Sequence, residues 1–172
     1  LGRLEVLSGS AASATLGNIS IGSSVGGNGS ALVDGVGSTL SHTSAAMFVG
    51  TSGTGALTVQ NGGQATSLSG SIASNVGSNG AVTVSGTNSR WNMNAGLVVG
   101  GTSVSAGGTG SLTIGTGGVV SCNTVLVWPS GTLTINNANL TCVGTVEHRG
   151  TLTMSGGTIL APTFQATNGS SI

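Results

Sequence analysis

The side chains that could carry out acid–base or metal chemistry are few in this chain of 172 residues. Its three carboxylates are Glu5, Asp34 and Glu147, and its three cations are all arginines. Glycoside hydrolysis needs a pair of carboxylates, and calcium binding needs a cluster of oxygen ligands. Because the carboxylates are far apart in the sequence, we expect no enzymatic activity, no cofactor and no metal site. His42 and His148 are also isolated, and we expect them to be exposed spacers in turn-rich segments rather than catalytic bases.

The two cysteines could form a disulfide. Cys122 and Cys142 lie 20 residues apart, which is close to one repeat of the pattern described below. Equivalent positions in neighbouring repeats would bring their Cα atoms within disulfide range, although an offset of one residue would turn the two side chains to opposite faces. We predict a disulfide, with two small buried thiols as the alternative. The absence of a C-x-x-C motif or a histidine partner argues against a metal site.

Large aromatic and clustered charged residues are the candidate contacts for a partner. Trp91 and Trp128 could either fill the core or stand outward as anchors for a carbohydrate or another protein, and we expect partial burial for both. The segment Glu147-His148-Arg149 is predicted to be a solvated corner with a weak local ion pair. The alternative for this segment is a contact point with a partner chain.

A five-residue pattern places these side chains within a repeat. Each copy starts with glycine, has apolar third and fifth residues, and recurs at intervals of roughly 20 to 30 residues, as in a repeat array. The copies begin at Gly29, Gly55, Gly80, Gly110, Gly131 and Gly150. The fourth residue is threonine in five copies, namely Thr58, Thr83, Thr113, Thr134 and Thr153. Strict alternation predicts strands with aliphatic side chains inside and an outer threonine ladder.

The intervals between copies contain turns and a second, shorter apolar pattern. Glycine and asparagine follow each copy and favour sharp corners. The shorter pattern includes Met47–Val49 and Leu97–Val99, and Ile72-Ala73-Ser74-Asn75 is predicted to fill the position between them. No segment has helical periodicity and length.

Resemblance between successive strands decides the fold class. An antiparallel sandwich would also have strands of this length, but its strands need not resemble one another. A parallel β-helix requires such resemblance, because equivalent residues stack at about 4.8 Å. We therefore predict an all-β, single-domain parallel β-helix, or β-solenoid, of about six to seven coils over residues 1–172, with negligible helix. The repeats cover about 19–160, and 1–18 and 161–172 are predicted to be terminal or capping segments.

Composition excludes several classes of function. Only 3% of the residues are charged, 33 are glycine and the mean hydropathy is +0.38, whereas disordered chains combine low hydropathy with high net charge. Three scattered arginines cannot form the basic surface that nucleic acid or anionic lipid requires. No apolar run approaches the length of a membrane-spanning helix, so we expect no membrane insertion by this segment.

Several motifs occur together in the chain: G-x-G-x-L-T-V, a G-G turn, the set Ser85, Gly86, Ser89 with Trp91, and the set Leu97, Val99 with Gly100. Over about residues 19–160 this combination resembles the repeats of bacterial autotransporter passenger domains and related secreted adhesins. The resemblance implies a right-handed coil displayed outside a Gram-negative cell. It also implies adhesion, aggregation or the spacing of a distal module. That family pattern includes a signal peptide and a membrane anchor, which we did not find, so we expect an excised segment or a free-standing secreted unit.

Three functions fit these observations. The first is a non-enzymatic structural or adhesive solenoid, located extracellularly or on the cell surface, that contacts a host or cell-surface ligand. The second is a subunit that self-associates end to end into a filament, with Leu4-Glu5-Val6 and Phe164-Gln165-Ala166 sealing or joining the ends. The third, a minor alternative, is binding to ice or another crystal surface. Its array would comprise Thr132, Thr134, Thr151, Thr153, Ser111 and Thr113.

Overall fold

The computed structural model describes residues 2–14 and 17–167, and its strands wind into one parallel coil with three faces. Each circuit of the chain, called a rung here, contributes one strand to each face. Face one contains β1 (Gly2–Leu7), β4 (Asn28–Asp34), β7 (Thr54–Gln60), β10 (Asn79–Ser85), β13 (Thr109–Ile114) and the first halves of β16 (Gly131–Cys142) and β18 (Thr151–Leu160). Face two contains β2 (Ala11–Ser13), β5 (Thr39–His42), β8 (Gln64–Ser67), β11 (Arg90–Met93), β14 (Val119–Cys122) and the second halves of β16 and β18. Face three contains β3 (Ile19–Ile21), β6 (Met47–Val49), β9 (Gly70–Ile72), β12 (Leu97–Val99), β15 (Val125–Val127), β17 (Thr145–His148) and β19 (Thr163–Ala166).

The predicted fold class is confirmed. All pairings between named strands are parallel, and face three is a sheet of seven strands, which gives seven rungs. Faces one and two join into one sheet because β16 runs without a break around the corner between them. No helix long and apolar enough to cross a membrane occurs within residues 2–14 and 17–167.

The inward side chains of face one form two aliphatic columns. The first is Ala31, Leu57, Val82, Leu112, Leu133 and Leu152, and the second is Val33, Val59, Val84, Ile114 and Ile135. All are buried in one continuous hydrophobic core. Burial of each such side chain contributes about 1.5 to 3 kcal/mol relative to exposure. Because each residue is covered by its equivalents on the neighbouring rungs, on both sides for all but Leu152, this burial depends on stacking.

The glycine that opens each repeat is required by a close approach between faces one and three. Gly80 points inward beneath the corner that ends β6, and a Cβ atom there would lie 2.3 Å from the carbonyl oxygen of Val49. It would also lie 2.6 Å from the nitrogen of Ala73. The register places Gly80 directly between Gly55 and Gly110, so the close approach recurs from rung to rung.

The corners after face one combine left-handed backbone with buried hydroxyls. Asn61 and Gly62 have φ values of 53° and 89°, as the predicted turn after β7 requires. On the next rung the buried side chain of Ser89 accepts a hydrogen bond from the Gly62 amide at 3.0 Å. Ser38 accepts one from the Gly9 amide at 3.1 Å in the same way. The serine that ends each of these corners, Ser38 or Ser89, therefore ties its corner to the corner before it.

Two local predictions are wrong. The strand of the third rung on face three is β9, so Ile72 is its last residue rather than its first, and Ala73 already forms the corner with φ of 58°. His42 and His148 are not exposed spacers, since their exposed fractions are 2% and 0%. Both are the last, inward-facing residues of their strands, and the ring of His42 hydrogen-bonds to the carbonyl oxygen of Gly17.

The first and last rungs leave part of their inward surface uncovered. On the seventh rung Met154 and Phe164 are 43% and 40% exposed, although their register partners Ile135 and Val146 on the sixth rung are fully buried. Residues 2–14 of the expected terminal segment form β1 and β2 of the first rung, and β19 lies within the expected segment 161–172. Residues 168–172 of that segment lie outside the described residues.

Candidate functional site

A groove runs along face three, parallel to the coil axis, and has a volume of about 580 Å³. Its floor consists of the outward middle residues of five successive strands, which stack in register. These residues are Phe48, Ser71, Val98, Leu126 and Glu147. Four steps of about 4.8 Å make this floor roughly 19 Å long. The groove can therefore accommodate an extended chain.

Hydroxyl groups line one wall of the groove. Ser69, Thr124 and Thr145 lie where the chain turns from face two to face three, beside the floor strands. Serine and threonine hydroxyls can each donate and accept hydrogen bonds. The groove thus combines an apolar floor with polar edges, as ligand sites commonly do.

The other wall is a loop at residues 101–107, which lengthens the fourth rung. Gly101 and Ala106 form an isolated antiparallel bridge, and the Thr102 amide donates to the Ser105 carbonyl at 2.8 Å. Ser71 on the groove floor donates to the Gly101 carbonyl at 2.9 Å and holds the base of the loop. The loop is therefore braced by its own contacts and by the floor beneath it.

Trp128 connects this loop to the charged end of the groove. It is half-buried, as expected, and its indole N–H donates to the Thr102 carbonyl at 2.8 Å. The guanidinium of Arg149 stacks over the indole ring at 4.5 Å from the ring centroid, a favourable cation–π geometry. Arg149 also donates through Nε to the Glu147 carboxylate at 2.7 Å. The predicted ion pair between Glu147 and Arg149 therefore supports Trp128, which in turn holds the loop wall of the groove. His148 lies between the two charged residues in the sequence and points inward.

Trp91 cannot contact a partner in this structure. Its side chain has no exposed surface, and its indole N–H donates to the Ser67 hydroxyl at 3.1 Å inside the core. The register partner of Trp91 is the small residue Ala65, and the indole ring of Trp91 fills the space above Gly70. A Cβ atom on Gly70 would lie 2.8 Å from that ring. The expectation of partial burial at Trp91 is therefore wrong, because small neighbours on the rung below make room for the whole ring.

The three carboxylates each have a partner of their own. Glu5 pairs with Arg3, and the Asp34 carboxylate accepts hydrogen bonds from the side-chain amide groups of Gln60 at 3.1 Å and Asn61 at 2.8 Å. Stacking places Glu5 and Asp34 on adjacent rungs of face one, nearer than their sequence separation suggests, because Glu5 lies beside Leu32. No cluster of three or more metal-binding side chains occurs in the described part of the chain.

The outer threonines occupy one column of face one. The register pairs Thr58 with Thr83, Thr83 with Thr113, Thr113 with Thr134 and Thr134 with Thr153. The hydroxyl-bearing side chains are partly buried on the first four of these rungs and exposed on the last. This column lies on a different face from the groove, so the two surfaces can be tested separately.

The two cysteines stack directly at the end of face two. Cys122 and Cys142 are register partners, both point inward, and their Sγ atoms lie 3.5 Å apart as unbonded thiols. The hydrogen bond with Cys142, reinforced by burial, raises the pKa of Cys122. The same hydrogen bond lowers the pKa of Cys142, against the effect of burial. The one-residue offset that would have separated the side chains does not occur.

The groove was missed at the sequence level, although two signals pointed to it. Phe48 and Val98 are apolar at outward positions where other rungs carry serine. The interval between the repeats at Gly80 and Gly110 is also the longest, and the loop at 101–107 lies within it. Together these features mark one face as chemically different from the other two.

Comparison with known proteins adds no identity. No protein family model, no curated protein and no solved structure matches this chain.

Proposed function

We propose that this chain is a non-enzymatic structural and adhesive β-solenoid of a bacterial surface or secreted protein, and that it holds its ligand in the groove on face three. The observation that supports adhesion is that three of the five in-register floor residues of that groove, Phe48, Val98 and Leu126, are apolar and line one cavity. An apolar patch on a polar surface is typical of an interaction site.

The groove favours an extended, uncharged ligand that offers both apolar and hydroxyl surface. Its only charged floor residue, Glu147, is neutralised by Arg149, so the groove carries no net charge to attract an ionic polymer. Leu126 and Val98 provide flat apolar contact, and Thr124 offers a hydroxyl beside them. Neutral polysaccharides present such alternating C–H and O–H surfaces along an extended chain. A neutral glycan of a host or cell surface is therefore the proposed ligand.

A pair of matched variants tests this proposal. Leu126→Asp places a charge on the groove floor, whereas Thr113→Asp places the same charge at an outward position of face one on the same rung. We expect the parent chain and Thr113→Asp to bind within a panel of insoluble neutral glycans comprising cellulose, chitin and mannan. We expect Leu126→Asp to bind at least tenfold more weakly, a loss of about 1.4 kcal/mol.

Two outcomes would overturn the proposal that the groove binds a neutral glycan. If the parent chain binds none of the panel, the glycan is wrong. If both aspartate variants lose binding equally while their circular dichroism and melting temperatures match the parent, the ligand does not contact the groove.

End-to-end self-association is the second candidate function. It is favoured by the exposed apolar side chains of the outermost rungs, which are Met154 and Phe164 on the seventh rung and Leu4 on the first, at 40 to 43% exposure. Among the described residues β1 pairs only with β4 and β18 only with β16, so one side of each strand can accept another strand. Stacking of a second copy would bury these side chains and continue the ladders.

Light scattering and negative-stain imaging of the purified chain test this second function. We expect rods that lengthen with protein concentration and that are lost in Met154→Lys but kept in Thr153→Lys, which adds the same charge to the outer side of the same rung. Monomers that persist at high concentration would contradict it.

A further inference from the structure

We propose that Cys122 and Cys142 form a reversible disulfide clamp that joins the fifth and sixth rungs beside the groove on face three. This clamp is a modification site distinct from the groove, and its formation does not depend on the nature of the ligand.

The geometry already brings the two sulfur atoms close together. Cys122 and Cys142 are direct register partners in parallel strands, so their Cα atoms are about 4.8 Å apart, within the range of about 4.4 to 6.8 Å found in disulfides. Their Sγ atoms lie 3.5 Å apart, and side-chain rotation alone must shorten this to about 2.05 Å. Both cysteines are only 3% exposed, so in the folded chain each thiol faces the other thiol rather than thiols in solution.

A small disulfide such as oxidised glutathione can serve as the oxidant that converts the two thiols into a disulfide. The thiolate of one cysteine attacks a glutathione sulfur, forms a mixed disulfide and releases one reduced glutathione. The second cysteine loses its proton, attacks the protein sulfur of the mixed disulfide and releases another reduced glutathione. Two protein thiols are thereby oxidised to one disulfide, and one glutathione disulfide is reduced to two thiols. Because the pair is buried, the first attack requires local opening of the outer rungs, which a solenoid permits from its ends.

The position of the clamp links it to the groove. Cys122 ends β14, and the chain passes through only Asn123 and Thr124 before β15, which carries Leu126 on the groove floor. Cys142 ends β16, and Val143-Gly144 leads directly into β17, which carries Glu147. A bond between the cysteines fixes the distance between these two floor strands at their shared corner. In the reduced state the sixth rung is held to the fifth by packing and hydrogen bonds alone.

Thiol counting and intact mass test the clamp directly. After incubation of the folded parent chain with oxidised glutathione, we expect a loss of about 2 Da for two hydrogens, no adduct and no free thiol after denaturation. The disulfide closes a loop of about one coil, and the chain-entropy relation predicts a melting temperature about 6 to 12 °C above that of the reduced chain. Hydrogen exchange at the amides of β15 and β17 should slow at least tenfold on oxidation, while that of β9 stays unchanged.

The single variants Cys122→Ala and Cys142→Ala serve as controls and should show no oxidation-dependent shift. If either fails to fold, comparison of oxidised and reduced parent chain is sufficient. Two thiols that remain after oxidation, a stable glutathione adduct, or a disulfide-linked dimer on a non-reducing gel would each overturn the proposal. Loss of glycan binding would not, because the thiol count is measured without any ligand.

Discussion

Replacing Gly80 with alanine tests the close approach that links face one to face three. The alanine Cβ would lie 2.3 Å from the Val49 carbonyl oxygen, 2.6 Å from the Ala73 nitrogen and 2.8 Å from the Ile72 Cγ2 atom. Two of these three atoms belong to backbone, so rotation of a side chain cannot relieve the contact. Either β10 or the corner after β6 must move outward by roughly an ångström.

The expected cost follows from overpacking. Inserting a methyl group into a well-packed interior typically costs about 1 to 3 kcal/mol, and the backbone contacts at Gly80 place it at the upper end of that range. For a chain of this size, a loss of about 3 kcal/mol corresponds to a decrease in melting temperature of about 6 to 12 °C. Gly80 does not have a positive φ, so the loss comes from steric contact rather than from backbone strain.

The matched control is Gly2→Ala. Gly2 occupies the same column as Gly80, since β1 pairs with β4 in register and Gly2 lies beside Gly29. No other described atom lies within 4 Å of a Cβ built on Gly2, so the same substitution at the same repeat position meets open space. Melting by circular dichroism and urea unfolding should show Gly2→Ala within about 0.5 kcal/mol of the parent chain. Equal stability of the two variants would refute the explanation of the glycine column.

Two further predictions concern the corners and the outer ladder. Ser89→Ala removes the buried acceptor of the Gly62 amide and should lower the free energy of unfolding by about 1 to 3 kcal/mol. The control Thr87→Ala, at the exposed tip of the same corner, should change it by less than about 0.5 kcal/mol. Equal effects of the two substitutions would contradict the role of the Ser89 hydroxyl. For the ice-binding alternative, a thermal hysteresis assay of the parent chain and Thr134→Lys is decisive: we expect none in the parent, and hysteresis that the lysine abolishes would favour the threonine column over the groove.

Face one was predictable because three independent constraints act on the five residues of each repeat and on the turn that follows them. The inward third and fifth positions must be aliphatic, as at Leu112 and Ile114, and the first must be glycine beneath a corner, as at Gly110. The turn that follows needs left-handed backbone, which Gly117 adopts at φ of 76°. Each constraint selects a narrow set of residue types, so the register of this face could be derived from the sequence alone.

Faces two and three were harder to predict because their strands are only three or four residues long on most rungs, and polar residues also point inward. His42 and Ser67 occupy stacked inward positions at the ends of β5 and β8, where alternation of apolar and polar residues gives no signal. The direction in which a short strand faces depends on the length of the corner before it, and a shift of one residue reverses it. At β9 the error was a shift of two residues, so Ile72 faces inward as expected but pairs with Val99 at the end of the strand instead of with Leu97 at its start.

Face three is also the face on which the proposed binding function rests, because its outward middle residue differs from rung to rung. Its outward middle residue changes from Phe48 to Ser71, Val98, Leu126 and Glu147 on successive rungs, while the inward residues on either side remain small or aliphatic up to Val127. Ser71 is tied to the loop by its hydrogen bond to the Gly101 carbonyl, whereas Val98 and Leu126 are partly exposed on the outer side of the sheet, where a change of side chain leaves the inward ladders in place. The coil therefore separates inward ladders, which determine where each rung lies, from an outward column on face three, to which we assign the proposed ligand binding.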